Sequence, residues 1–94
     1  MAKPTTLAQA LEAWIVQAGL EKPFYEARAV VEWFELAGPQ IARVTKRVWV
    51  ERGRLYVQVS SPVWRQELHL ARSHWRDRIN ERLSRPVIEE VVFC

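Results

Sequence analysis

Four side chains that carry or share positive charge, Arg65, His69, Arg72 and Arg76, recur at intervals of four, three and four. On a helix, turning roughly 100° per residue, that spacing lines them along one edge. A guanidinium is a planar fork suited to phosphate oxygens, so such a row can track a nucleic-acid backbone. The row equally fits a solvated helix face whose arginine stems cover apolar surface. A second group combines rings with charge: Arg47, Trp49, Arg54 and Tyr56 occupy alternating positions in two short β-like runs. Rings interleaved with arginine suit single-stranded nucleic acid, because every base has a face to stack on. The competing reading has the first two helices cover that face and bury both rings.

Catalytic chemistry has no comparable set. His69 and His74 are five residues apart and share no helical face, whereas a metal site would want a spacing of three or four with carboxylates on the same side. Cys94 is the single cysteine and has no histidine near it in sequence, so it also forms no internal disulfide. Glu89 and Glu90 are adjacent on a strand and point to opposite faces, unlike an acid–base dyad. There is no glycine-rich phosphate loop and no serine in a nucleophile elbow. The expectation is a protein that is not an enzyme, holds no metal and needs no cofactor.

These side chains must be positioned by six elements. Thr6 and Gln9 have capping-box spacing, and Leu7, Leu11, Trp14, Ile15 and Ala18 recur at helical intervals up to Gly19. Pro23 suits the start of a second helix with Ala27, Val30, Val31 and Phe34 on its inner face, broken or bent at Gly38-Pro39. From Thr45 the period drops to two. Val48 and Val50, then Leu55, Val57 and Val59, alternate with polar and aromatic residues on either side of Arg52-Gly53, which reads as a β-hairpin. Ser60 or Ser61 caps a long helix from Pro62 to about Leu83, with Trp64, Leu68, Ala71, Trp75 and Ile79 on its core side. PVIEEVVF closes the chain as a strand. The fold class is α+β in the order α-α-β-β-α-β. A three-stranded sheet carries the long helix on one face, and the last strand is free to pair parallel after its helical crossover.

Ninety-four residues make one domain, 1–94, and the 49% apolar content with five tryptophans supplies a dense core. No apolar run approaches the roughly 18 residues of a membrane span, and the N-terminal stretch lacks a leader-like hydrophobic region. With one cysteine, a cytoplasmic location is expected and no membrane partner. Net charge is +3, with eleven arginines and three lysines, which is mildly basic.

An ordered set of residues resembles the DciA family, most strongly over 27–94. Trp33 is followed by Gly38; Ala42 and Thr45 precede the first strand; Gly53 precedes Leu55; SSPVWRQEL carries Trp64, Glu67 and Leu68; INERL carries Asn80; and the closing strand ends at Phe93. The resemblance implies a K-homology-like fold and a bacterial replication adaptor that binds the replicative DNA helicase and single- or double-stranded DNA, assisting helicase loading without hydrolysing ATP. No GxxG loop is present, so nucleic acid is not gripped by that route. Arg65, His69, Arg72 and Arg76, with Arg47, Arg54, Trp49 and Tyr56, are the expected contacts. The alternative is a protein–protein interaction module, a homodimer or a partner of another kind, with no nucleic-acid role. Its support is the surplus of tryptophan at Trp14, Trp33 and Trp49, since exposed Trp is a common interface anchor.

Overall fold

The computed structural model describes residues 6–94; residues 1–5, part of the stretch read above for a leader, lie outside them. Helix α1 (Leu7–Gln17) starts where the capping box places it. The Thr6 hydroxyl accepts from the Gln9 amide and the Gln9 side chain accepts from the Thr6 amide, both at 3.1 Å. Gly19, with φ 71°, ends it.

Helix α2 (Glu21–Val44) begins two residues ahead of Pro23 and is kinked at Gly38, whose φ of 81° and ψ of 176° are not helical. Pro39 follows with no N–H to give, so the ladder is interrupted there. The face of α2 that enters the core differs from expectation. Ala29, Trp33 and Ile41 are buried, whereas Val31 and Phe34 are exposed. Apolar residues occur around most of this helix's circumference, and burying the large Trp33 ring decides which side turns inward.

Strands β1 (Thr45–Glu51) and β2 (Arg54–Val59) pair antiparallel through a two-residue turn. Arg52 and Gly53 take φ values of 51° and 77°, the mirror-image turn that matches strand twist. A Cβ at Gly53 would also lie 3.1 Å from the Glu89 side chain, so the position favours glycine twice over.

The single long helix expected from Pro62 to Leu83 is instead two, α3 (Pro62–Leu70) and α4 (Arg72–Leu83), broken at Ala71. Ala71 has φ −101° and ψ 16°, and its N–H returns to Leu68. The break lets each half aim its own apolar side at the sheet, Trp64 and Leu68 from α3 and Trp75, Ile79 and Leu83 from α4. The expected core stripe survives, re-aimed at its middle. Ser61 caps α3, accepting from the Trp64 amide at 3.3 Å.

Strand β3 (Glu90–Phe93) joins parallel to β2, giving the sheet order β1-β2-β3. It is shorter than the PVIEEVVF run. The Ile88 N–H donates to Asn80 Oδ1 and its carbonyl accepts from Asn80 Nδ2, both at 2.8 Å, so neither group pairs with a strand. The core lies between the sheet and the helices on one face. Trp33, fully buried, sits 4.8 Å from the Trp75 ring and 5.4 Å from that of Phe93. Leu55, Val57, Val59, Val91 and Phe93 meet it from the sheet.

The first two helices do not cover the other sheet face. α1 rests against the start of α2, and the chain is elongated: its radius of gyration is 15.3 Å, against about 12 Å for a compact domain of this length.

Candidate nucleic-acid interface and a second, apolar surface

Strand alternation sends Leu55, Val57 and Val59 into the core and leaves Arg54, Tyr56 and Gln58 on the outer face. Register then builds rows across that face: Trp49 lies beside Tyr56 and Tyr56 beside Val92, while Arg47 lies beside Gln58 and Arg54 between Glu51 and Glu90. The Trp49 and Tyr56 rings are stacked, 5.2 Å between centroids and 8° from parallel. The Arg47 guanidinium carbon stands 4.5 Å from the Trp49 centroid. Cation, ring and ring thus form one stacked cluster on the outer sheet face, with both rings half-buried.

Arg54 reaches sideways, its Nε 3.2 Å from a Glu90 carboxylate oxygen. The Tyr56 phenol first, and then the Glu90 charge, hold this guanidinium above its ordinary pKa. It faces a shallow hollow of about 280 Å³ that is also lined by Arg72, Ser73, Arg76, Glu89 and Val91. Two groups that the sequence read separately, the sheet arginines and the helix arginines, therefore meet at the β3 edge.

The helix row is not continuous. The break at Ala71 separates Arg65 and His69 on α3 from Arg72 and Arg76 on α4. Arg65 is half-buried and donates from Nη2 to the Val59 carbonyl at 3.1 Å, while its buried Nε has no partner among the described residues. That guanidinium is committed to joining α3 to the end of β2. Arg72 donates to the His69 carbonyl at 3.0 Å, a cation at the end of α3, and lies 3.3 Å from the His69 ring. Arg76 pairs with Asp77 at 2.9 Å. His69, Arg72 and Asp77 are exposed.

Other arginines are structural. Arg82 pairs with Glu32 at 2.8 Å and joins α4 to α2. Arg85 pairs with Glu21 at 2.6 Å and lies over Tyr25, and Glu21 is the main cause of its raised pKa. Gln58 and Val92 complete the outer face and were absent from the expected contacts. The alternation that placed Tyr56 also places Gln58, and β3's own alternation places Val92. Among the described residues no three His, Cys, Asp or Glu side chains group to hold a metal ion, and no helix is long and apolar enough to cross a membrane.

A second exposed surface has the opposite chemistry. The α1 stripe expected to pack is mostly open, with Leu7 77%, Leu11 51% and Trp14 57% exposed, and Ile15 the one buried residue of that helix. Leu11, Trp14, Ile15 and Phe24 line an apolar hollow of about 340 Å³. On α2, Val31 and Phe34 look away from the sheet. Of the three tryptophans in question, Trp33 is core, Trp49 is on the outer sheet face and Trp14 is on this apolar surface.

A family model described as Dna[CI] antecedent, DciA, matches residues 6–93. No curated protein and no solved structure matches the chain.

Proposed function

The chain belongs to the DciA family, one associated with replicative-helicase loading, and from that premise we propose that it is a non-enzymatic replication adaptor of the cytoplasm. It binds the replicative DNA helicase through protein contacts and DNA through its open sheet face, and so assists loading. An adaptor needs two surfaces that do not compete. The observation that carries the reading is the pair found here: the Arg47–Trp49–Tyr56 platform on the outer sheet face, and the apolar side of α1 and α2, where Val31 and Phe34 look away from the sheet. Stacking with flanking cations suits unpaired bases, and the arginines Arg54, Arg72 and Arg76 at the β3 edge suit the phosphates that follow them. The apolar surface suits a protein partner, since exposed Trp and neighbouring aliphatic residues anchor interfaces.

Size-exclusion chromatography of the chain with the replicative helicase of its own organism, with and without single-stranded DNA, tests the reading. Co-migration supports it. Separate peaks under both conditions at low salt overturn it in favour of the second reading, an interaction module without a nucleic-acid role. The exposure of Trp14 supports a protein partner in either reading. Salt separates the two, because phosphate contacts weaken steeply with ionic strength and an apolar interface responds little.

A further inference from the structure

β1 is an edge strand of the sheet. Its backbone groups divide by parity. Val57 gives its carbonyl to the Cys94 amide on the β3 side at 3.0 Å, so it exchanges no bond with Val48, its register partner on β1. The N–H and C=O of Val48 therefore point to the open edge, as do those of Val50 two residues on. Trp49, between them, turns its amide toward β2.

Exposed edges are usually guarded by charged side chains, proline, bulges or a covering element. Around Trp49 this edge carries both signs: Arg47 and Glu51 lie two positions either side of it, and Lys46, at the register irregularity of β1, and Arg52, in the turn, add positive charge at the two ends. Glu51 is in no ion pair among the described residues, and Arg47 rests only on the Trp49 ring. If two β1 edges run antiparallel about Trp49, Arg47 faces the partner's Glu51 and Trp49 faces the partner's Trp49. Val48 then faces the partner's Val50. Parity agrees with that register. Val48 and the partner's Val50 become a hydrogen-bonded pair, and the two tryptophans fall in the non-bonded pair, where side chains approach closest. Centring the pair one residue either way would set Glu51 against the partner's Thr45 or the partner's Trp49, and the charges would not match.

We propose that a second copy of this chain pairs along β1 in this register, joining two sheets into one. The two-fold axis runs perpendicular to the sheet, so both stacked Trp49–Tyr56 pairs lie on the same side and form one aromatic stripe. The edge is short, well below the about 1,200–2,000 Å² of a standard stable interface, so the association is weak and concentration-dependent. It requires no nucleic acid, and its failure leaves the adaptor reading standing.

Sedimentation equilibrium of the DNA-free chain over a rising concentration series tests it. A monomer–dimer equilibrium is expected. Val50→Pro removes an N–H that faces the open edge while sparing the bonds to β2, and should give a monomer over the same range with an unchanged circular dichroism spectrum. Glu51→Arg, which leaves the hairpin backbone alone, should weaken dimerisation about tenfold, and Arg47→Glu combined with Glu51→Arg should restore it. A wild-type chain monomeric throughout, a dimer that survives Val50→Pro, or a double variant as weak as the single one would each overturn the proposal. Where Val50→Pro does not fold, the charge exchange decides alone.

Discussion

The indole N–H of Trp33 points at the hydroxyl of Thr45, 3.4 Å away, and that hydroxyl donates in turn to the Ile41 carbonyl at 2.8 Å. One side chain thus satisfies the buried polar atom of the largest core residue and ties the end of α2 to the start of β1. Thr45→Val keeps the shape and removes both bonds, leaving the indole unpaired in the core. It should lower stability by about 1–3 kcal/mol in urea unfolding, and Thr45→Ser should retain most of what valine loses.

Asn80, in the last turn of α4, performs a comparable task, holding both backbone groups of Ile88 just before β3. Asn80→Ala orphans an N–H and a C=O on a residue whose side chain is buried. The expected loss is about 2–3 kcal/mol, read by thermal or urea denaturation. A loss within about 0.5 kcal/mol, the range of ordinary surface substitutions, would show that water replaces the amide without penalty.

Arg52 adopts φ 51° in the hairpin turn, a conformation that asparagine and glycine enter more easily. Arg52→Asn should therefore raise stability by about 0.5–1 kcal/mol, seen as a higher denaturant midpoint with an unchanged slope.

Trp49→Ala and Tyr56→Ala should each weaken single-stranded DNA binding by about 1–3 kcal/mol, the worth of one base–ring stack, with little change in fold. Fluorescence anisotropy of a labelled oligothymidylate measures it. The combined Arg72→Glu and Arg76→Glu variant should remove most binding. If about four phosphates are engaged, log affinity of the unmodified chain should fall with log salt at a slope near −3, at about −0.7 per phosphate for single strands. An affinity untouched by the double charge reversal would remove α4 from the site.

Trp14→Lys and Leu11→Asp alter exposed positions of α1 and should leave stability within about 0.5 kcal/mol. Co-migration with the helicase should be lost while DNA affinity is kept. Loss of DNA binding instead would mean that the two surfaces are one.

What could be read from the sequence was local. The capping box of Thr6 and Gln9, the turn at Arg52-Gly53 and the alternation that puts Tyr56 opposite Leu55 each depend on neighbours within a few residues, and each is present. The inner face of α2 was misplaced because Val31 and Phe34 have the same spacing logic as Ala29 and Trp33. Only tertiary packing around the indole separates the two rows. The break at Ala71 carries neither glycine nor proline, so no residue type announces it. Several residues of the family pattern are also explained by packing: Trp33 and Leu55 are core, Gly38 and Gly53 need positive φ, and Thr45 and Asn80 satisfy backbone or indole groups. They identify the fold. The platform residues Arg47, Trp49 and Tyr56 lie outside that pattern, and whether the rings were covered depended on where α1 and α2 packed.

α1 is fastened to the rest of the chain by one buried side chain, Ile15, above a hollow of about 210 Å³ that Arg85 and Tyr25 help to line. With so little buried apolar area, α1 should behave as a separate cooperative unit that opens at lower free energy than α4 and the sheet. Its amide protons should exchange with solvent long before those of β2. A partner that covers Trp14 would then recruit a helix that spends part of its time undocked, and the slow exchange gained on binding would mark the contact surface residue by residue.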